Sequence, residues 1–546
     1  MHEVSRDYLL PSEFSAALPT GASSLLGEVL TQAGWRYEVE PPRTVSHRLL
    51  DSFDWGCYQA GAAVEEVRSG GRRWLLWHDL SGKEETQVQS LDAAPGLAQE
   101  LPEGPVQGLV RPAIGLRRLC PVVTWEVRRE ILRLLDAEAR PLARLALEEY
   151  RVIGHEPGTC SPLDQALGRC PVLPQAPPSR LRLTAAEGDA EALPEVSDVL
   201  EAALGLTPAP GPLVAEMLAV GPRPPGGYST RLDYRLDPGQ SAGHALRKIL
   251  LGLLDTVEVN IPGAREHLDA EFLHDLRVAT RRTRAALAQI PSVLPDPLVA
   301  DFRARFAWLQ QVTGPVRDLD VYLEDFAGLQ AALPPAMRAD LEPFRAQLRT
   351  RLDTAQWTLA ETLISQPMAE LMRGWRAALN GALPAGPVPL NAGRPVKELA
   401  SERIWRMVRR VRSEGRAITP ESPPGELHEL RKSCKKLRYL MEFFQSLYPA
   451  DEIGPAIKTL KVLLDDLGNL QDLAVQAAQV TDLAATMHRE GRADTRALLA
   501  MGALVADLLR RQGEARAALA EIFHAFDSKK ARVLYRQLFF TGSQQG

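Results

Sequence analysis

The sequence predicts an α+β domain built on an antiparallel sheet, followed by an all-α domain of two pseudo-symmetric four-helix bundles. Three observations support this prediction: strand-like runs in the first 220 residues, a Pro- and Gly-rich stretch after them, and a helical segment that occurs twice in the second half. A chain of 546 residues is long enough for more than one domain. We therefore expect a domain at 1–220, a linker at 221–240 and a helical domain at 241–530.

Short runs of strand-forming residues bounded by turn residues predict the sheet of the first domain. These runs are 74–77, 122–125, 145–147 and 180–184. Helices are predicted in the same domain near 23–33 and 191–218.

Long helical periods replace the strand pattern after residue 240. The predicted helices are 242–260, 268–290, 298–327, 335–378, 396–414, 425–447, 452–482 and 495–524. A second Pro- and Gly-rich stretch, 381–395, separates two groups of four helices, so we expect one repeat at 242–380 and another at 395–530. Four helices with antiparallel connections are typical of a helical bundle.

The duplicated segment begins at His274 and returns at His428, an offset of 428 − 274 = 154 residues. The copies read HDLRVATRRTR and HELRKSCKKLR. The match continues beyond the segment, since Leu309, Gly314 and Asp318 recur at the same offset as Leu463, Gly468 and Asp472. Self-similarity over this length indicates a duplicated helical unit.

Each copy predicts a helix with a row of cations beside an apolar face. In the first copy the cation row is Arg277, Arg281 and Arg284, and in the second it is Arg431, Lys435 and Arg438. The apolar faces comprise Leu273, Leu276, Thr280, Thr283 and Leu287, and Leu427, Leu430, Cys434, Leu437 and Met441. Like charges four residues apart destabilise a helix by a few tenths of a kcal/mol. Such rows suit a polyanionic ligand.

Two simpler interpretations stay open at this point. Basic helix faces are commonly just solvated surface. His274 and His428 could be polar groups in helix packing, or could donate hydrogen bonds to phosphate when protonated.

The net charge of −5 conceals an asymmetry between the halves. Residues 1–240 hold 23 Lys and Arg against 33 Asp and Glu, a net charge of −10, whereas residues 241–546 hold 41 against 36, a net charge of +5. An anionic ligand would therefore favour the second half.

Five cysteines without a Cys-x-x-Cys pair support neither a disulfide framework nor a zinc site. We see no signal peptide and no apolar run of about 18 residues, so we expect a cytoplasmic protein without a membrane span.

The repeated motif, with its following glycine and aspartate, resembles the CHAD domain, the conserved histidine α-helical domain, over roughly 240–530. The resemblance implies two pseudo-symmetric bundles with a central basic groove that binds inorganic polyphosphate. The residues that match the family's basic positions are His274, Arg277, Arg281, Arg282, Arg284, His428, Arg431, Lys432, Lys435, Lys436 and Arg438. One departure is that Arg317 of the first copy becomes Gln471 in the second. Asp318 and Asp472 are expected to be helix-start caps or partners inside the bundle.

After an N-terminal strand, five segments of the first domain follow one another in a recognisable order: 50–54, 58–61, 74–77, 128–129 and 145–147. In this order, residues 1–220 resemble a degenerate CYTH domain, the triphosphate-tunnel family, which often neighbours CHAD in one chain. The family opens with Glu-x-Glu-x-Lys on a strand whose glutamates hold a divalent metal and whose lysine meets phosphate. This chain has Glu3, Ser5 and Asp7 there. It also has Glu65 and Glu66 where the family alternates arginines. We therefore expect a tunnel-like sheet domain without catalytic residues, metal or cofactor.

The predicted function is binding of inorganic polyphosphate by a bacterial-type cytoplasmic protein, with association to polyphosphate granules. A metal-dependent triphosphatase and a nucleic-acid or protein-interaction module are the alternatives. The substitutions at the metal motif argue against the first. The lack of interleaved aromatic residues in the helical half argues against nucleic acid. The acidic N-terminal domain leaves a protein partner open.

Overall fold

The computed structural model describes residues 5–11, 22–136, 138–153, 177–186, 193–221, 223–230, 232, 234–381 and 388–540. Glu3, Cys160 and Cys170 therefore lie outside the described residues. The chain divides into two compact units, Met1–Ser229 and Thr230–Gly546, and each is described by itself. None of the described helices combines the length and the apolarity that crossing a membrane requires.

The first unit contains a nine-stranded sheet in the order β5-β4-β3-β2-β6-β7-β8-β1-β9, and every neighbouring pair is antiparallel. The strands are β1 Ser5–Leu9, β2 Arg36–Asp51, β3 Ala62–Ser69, β4 Arg72–Asp79, β5 Gln87–Leu91, β6 Cys120–Leu135, β7 Pro141–Ile153, β8 Arg180–Ala185 and β9 Thr207–Pro208. All four predicted strands are confirmed within β4, β6, β7 and β8.

Helices of the first unit lie at Ala22–Gln32, Gly56–Gln59, Pro105–Ile114, Leu193–Leu204 and Leu213–Val220. The helix predicted at 191–218 is thus two helices, with β9 between them. Successive residues of a strand face opposite sides of a sheet. On one side, Leu132 and Leu134 pack with Leu26 and Leu30. On the other, Trp125 packs with Met217 of Leu213–Val220, so that helix covers the second face.

The regular elements described in the second unit are all helices. Its first group of helices is Ala242–Arg265, Ala270–Gln289, Asp296–Val312, Gly314–Glu324, Phe326–Ala331, Glu342–Leu363 and Gln366–Asn380. Its second group is Val396–Ala417, Pro424–Phe444, Ala450–Arg489, Thr495–Phe526 and Lys529–Phe539. We call Ala270–Gln289 the first motif helix and Pro424–Phe444 the second motif helix.

Helix starts recur at the offset of the sequence repeat. Ala242, Ala270 and Asp296 begin helices in the first group, and their counterparts 154 residues later, at 396, 424 and 450, begin helices in the second. The repeats therefore correspond in structure as well as in sequence.

The two repeats also meet in a reciprocal backbone bridge. The Ala242 amide donates to the Arg394 carbonyl (2.8 Å), and the Val396 amide donates to the Gln240 carbonyl (2.9 Å). Because 242 and 396, and 240 and 394, are each 154 residues apart, the bridge pairs equivalent positions around Ser241 and Pro395. The pseudo-twofold axis passes through it.

The first repeat departs from its predicted helices at proline residues. The helix predicted at 298–327 ends at Val312 and restarts at Gly314, whereas Ala450–Arg489 runs on without a break. Pro315 has no amide hydrogen and clashes with the preceding turn, and its counterpart in the second repeat is Asn469. The helix predicted at 335–378 is split in the same way, with Pro367 in the first turn of Gln366–Asn380.

The apolar faces predicted for the motif segments are confirmed. Leu276 and Leu430 are 0% and 1% exposed, and all ten predicted residues are buried. A shared core extends from Phe344 and Leu348 of the first repeat to Met501 and Leu504 of the second. The two repeats are therefore parts of one hydrophobic unit.

We expect Leu276→Ala and Leu430→Ala each to lower the free energy of unfolding by about 2–5 kcal/mol, because each removes buried methyl groups and leaves a cavity. Urea unfolding of the full chain measures the loss. Leu499→Ala is the matched control, since Leu499 is 62% exposed and its truncation should change stability by less than about 0.5 kcal/mol. Equal losses in all three variants would contradict the assigned faces.

Candidate functional site

The two motif helices pack against each other. This contact brings together Arg281 and Lys435, which are equivalent positions because 435 − 281 = 154. Neither side chain forms a hydrogen bond or ion pair with another described residue, and Arg281 Nε is buried without a hydrogen-bond partner in that part of the chain. The centre of the contact therefore holds two cations that form no ion pair with a described carboxylate, although Asp472 is near enough to Lys435 to act on its charge.

Burial is the largest effect that lowers the pKa of Lys435 to about 8, the charges of Arg431, Arg281 and Arg438 act in the same direction, and the charge of Asp472 opposes them. Each of the three arginines makes it harder for Lys435 to hold its positive charge. An anion placed here would favour protonation of Lys435 and would relieve the repulsion.

Arg277 and Arg431 occupy equivalent positions, and each reaches over the glycine of the following helix. A Cβ atom on Gly468 would lie 3.3 Å from Arg431 Nη2, and one on Gly314 would lie 3.8 Å from Arg277 Nη1. The approach is tight at Gly468 and ordinary at Gly314. Gly468 thus leaves room for the Arg431 guanidinium, whereas the space beside Gly314 would also accommodate a Cβ atom.

The hydrogen bonds of these two arginines differ between the repeats. Arg277 Nη1 donates to the Gln310 carbonyl (2.9 Å) and to Thr313 Oγ1 (2.8 Å). Burial lowers the pKa of Arg277 to about 10. Arg431 instead donates to Gln471 Oε1 (2.9 Å) and lies 3.3 Å from Asp472 Oδ1.

Arg317 and Gln471 are the equivalent residues at which the copies differ, and Gln471 belongs to the site because it accepts the hydrogen bond from Arg431. Gln471 Oε1 also contacts His428 Nδ1 at 3.0 Å, whereas Arg317 pairs with Glu324 at 3.0 Å.

Asp318 and Asp472 do not cap helices, because they lie inside Gly314–Glu324 and Ala450–Arg489. Asp472 is instead a partner of Arg431. Burial raises the pKa of Asp318, the charge of Arg277 opposes this, and the charge of Asp472 adds to it. The two aspartates are thus near each other across the repeats.

Glu442 joins the two motif helices at a second place. Its Oε2 atom accepts a hydrogen bond from Arg282 Nη2 (3.1 Å), and its Oε1 atom accepts one from Arg438 Nε (2.6 Å). Arg282 also donates to the Thr230 carbonyl (2.9 Å). Glu442 and Arg282 are each only 12% exposed in their side chains. This bridge therefore ties the first repeat to the second.

Residues 248–481 match the model of the CHAD domain family. This segment is a CHAD domain. The chain is similar to the crystal structure of the CHAD domain from the plant Ricinus communis, at 23% identity and a TM-score of 0.46, over 54% of this chain and 96% of that one. PptA from Streptomyces chartreusis is 19% identical with a TM-score of 0.40, over 52% and 99% of the two chains.

The chain is also similar, at low score, to a crystal structure of a candidate adenylate cyclase from Bacillus halodurans. That structure is 13% identical with a TM-score of 0.25, over 38% of this chain and 93% of that one. No curated protein sequence matches the chain.

The predicted basic residues of the CHAD domain fall into two groups. Arg277, Arg282, Arg431, Lys432 and Arg438 are engaged by the hydrogen bonds described above or, for Lys432, by Glu429 at 2.6 Å. The remaining cations, which have no hydrogen bond or ion pair with a described residue, are Arg281, Arg284, Lys435 and Lys436. Glu442 was missed by the sequence analysis, because it does not lie in the cation rows, and Gln471 was noted there only as the counterpart of Arg317.

His274 belongs to a group that could hold a metal ion. Glu271, His274 and Asp275 offer ligand atoms that all lie within 4.8 Å of one another. Positions i, i+3 and i+4 bring them to one side of the first motif helix. The second repeat has Gly425 in place of the glutamate, so the full group occurs in one repeat only.

In the first unit, Asp7 and Glu65, two of the acidic departures from the CYTH pattern, have basic partners. Asp7 accepts hydrogen bonds from Arg182 at 2.9 and 3.2 Å. Burial alone would raise the pKa of Glu65, but hydrogen bonds with His47 and His78, both 2.7 Å, hold it at about 2. These carboxylates are engaged within the sheet.

The helix Leu213–Val220 contributes another carboxylate that pairs with an arginine of the sheet. Its Glu216 lies 2.6 Å from Arg180, which is fully buried.

We expect Lys435→Met to raise the free energy of unfolding at pH 7, because the parent must keep a disfavoured charge in the folded state. The penalty is fully present below the folded-state pKa of about 8 and disappears as the pH rises toward the ordinary lysine value of 10.5. The advantage of the variant should therefore shrink between pH 7 and pH 10 in urea unfolding.

Lys432→Met is the control, because Lys432 is exposed and paired with Glu429. A gain for Lys435→Met that is the same at both pH values would point to packing rather than charge.

Proposed function

We propose that the CHAD domain binds inorganic polyphosphate between its two motif helices. The observation that carries this proposal is the juxtaposition of Arg281 and Lys435, two like charges from equivalent positions without a described carboxylate partner. Such an arrangement costs stability in the free protein, and an anion between the helices would compensate both charges.

The unpaired cations are proposed to contact phosphate directly: Arg281, Arg284, Lys435 and Lys436. Charge-assisted hydrogen bonds of this kind contribute about 1.5–3 kcal/mol each. Arginine offers a planar fork for two phosphate oxygens, whereas lysine offers a point charge.

The engaged residues of the motif have supporting roles in this proposal. Arg277 and Arg431 would line the site and retain donors for phosphate. Arg282 and Arg438 would hold the helices through Glu442, and Lys432 would lie at the edge. His274 and His428 would donate to phosphate when protonated.

We further propose that the first unit is a CYTH-like domain without triphosphatase activity. Two sets of hydrogen bonds support the lack of activity: Asp7 is bonded to Arg182, and Glu65 is bonded to His47 and His78. The proposed ligand fits a cytoplasmic protein associated with polyphosphate granules.

Long-chain polyphosphate should bind the full chain more tightly than triphosphate, because three phosphates cannot reach all the unpaired cations. Arg281→Ala combined with Lys435→Ala should weaken polyphosphate binding at least tenfold, the equivalent of one lost charge-assisted contact of about 1.4 kcal/mol. Titration at two salt concentrations measures both effects, and salt should weaken binding because it screens exposed charges.

Arg305→Ala combined with Arg510→Ala is the matched control, since these arginines pair with Asp301 and Glu514 and lie outside the motif helices. Equal affinity for triphosphate and long chains, or unchanged binding by the motif variant, would reject the proposed site.

The protein should release phosphate from triphosphate no faster than buffer in the presence of Mg²⁺ or Mn²⁺. A phosphate-release assay on the full chain tests this, with Glu3→Ala as the comparison. Turnover that disappears in that variant would show that the first unit is an enzyme.

A further inference from the structure

The second repeat has a basic surface outside the motif helices. The helix Lys529–Phe539 packs along Val396–Ala417. At one end, Asp527 accepts hydrogen bonds from Arg412 and Arg416, both 2.6 Å. At the other end, Phe540 contacts Trp405 edge-on with ring centroids 5.8 Å apart. The two helices therefore run antiparallel, side by side.

Four exposed cations lie along this pair of helices. Arg409 is four residues after Trp405 and three before Arg412, so it faces the same side of its helix. Lys529, Arg532 and Arg536 are spaced three and four residues apart and lie on the same side of the other helix as Phe540. All four are exposed and none forms an ion pair with any residue that the structure describes. We call Arg409, Lys529, Arg532 and Arg536 the outer cation row.

Aromatic rings border this row at one end. Trp405 and Phe540 are both half-buried, and the Arg536 guanidinium lies 5.2 Å from the centre of the Phe540 ring. Cations beside partly exposed aromatic rings form a surface that can contact both a phosphate backbone and a flat base.

The first repeat lacks these charges at the equivalent positions. Arg409 and the neighbouring Arg412 correspond to Asp255 and Glu258, 154 residues earlier, and both of these acids bind Arg376. At the same offset, uncharged residues stand in place of the other three cations of the row, namely Trp375, Ala378 and Ala382. The outer cation row is a property of the second repeat alone, unlike the motif cations, which both repeats carry.

We propose that the outer cation row, with Trp405 and Phe540, binds single-stranded nucleic acid. Polyphosphate has no base that could use the aromatic rings, and a membrane surface would require more exposed apolar area than the single Val533 on this helix, which is 51% exposed. Backbone phosphates would contact the cations, and a base would stack against the half-exposed rings of the aromatic pair. The proposal does not depend on polyphosphate binding by the motif helices.

The test is a titration of the full chain with a labelled single-stranded oligouridylate at several salt concentrations. Four phosphate contacts predict a log–log salt slope of about −2.8. Arg532→Ala combined with Arg536→Ala should weaken binding and reduce the slope by about 1.4. Phe540→Leu should weaken binding about fivefold or more without changing the slope, since one stacked base contributes about 1–3 kcal/mol.

Two variants serve as matched controls. Lys458→Ala combined with Lys461→Ala removes two exposed cations of the same repeat that have no described ion-pair partner, and it should bind the oligonucleotide like the parent. Arg281→Ala combined with Lys435→Ala should also retain oligonucleotide binding. Titrating all variants with polyphosphate shows separately whether the motif helices bind it.

Several results would overturn the proposal. These are no binding of the oligonucleotide by the parent, unchanged binding by the outer-row variant, or loss of binding in the motif-helix variant alone. Equal loss of polyphosphate and oligonucleotide in the outer-row variant would make this a general polyanion surface. Binding to anionic phosphatidylserine vesicles instead of the oligonucleotide would identify a membrane surface.

Discussion

The packing of the two motif helices is the constraint on which the helical unit depends. Their apolar faces must be buried to form the core, and the cation rows lie directly beside those faces. Burial of the apolar faces therefore brings the two cation rows together, so that Arg281 approaches Lys435. Burial and the charges of Arg431 and Arg281 together lower the pKa of Lys435, so keeping this lysine charged costs free energy in the folded protein. The proposed anionic ligand would offset that cost.

The carboxylates near the motif helices are placed unevenly, and this divides the cations by role. Glu442 holds Arg282 and Arg438, and Asp472 holds Arg431. At the middle of the contact, Arg281 and Lys435 form no ion pair with a described acid, and only the charge of Asp472 partly offsets that of Lys435. The acids therefore neutralise cations at the edges of the contact and leave the centre positive. The number of basic residues in the motif does not distinguish the paired cations from those without an ion pair.

Much of the fold could be predicted from the sequence because the spacing of apolar residues indicates which side of a helix is buried. Leu276 and Leu430 follow the helical period, and both are buried. Helix breaks were harder to predict, since Pro315 begins a new helix although the apolar period continues past it.

Contacts between distant segments could not be predicted at all. Glu442 reaches Arg282 across 160 residues, and Trp405 meets Phe540 although neither lies in an aromatic-rich stretch. For the same reason, the sequence analysis found no platform on which bases could stack.

The backbone bridge around Ser241 and Pro395 has a consequence for how such a unit can assemble. Each repeat contributes one amide donor and one carbonyl acceptor, in the same register. Two separate copies of a single repeat could therefore form the same pair of hydrogen bonds, as in an isologous dimer with a twofold axis. Because residues 381–395 connect the two repeats covalently, the repeats associate within one chain and not between two molecules. The two halves can also differ in sequence, as the opposite charges of the equivalent residues Asp255 and Arg409 show.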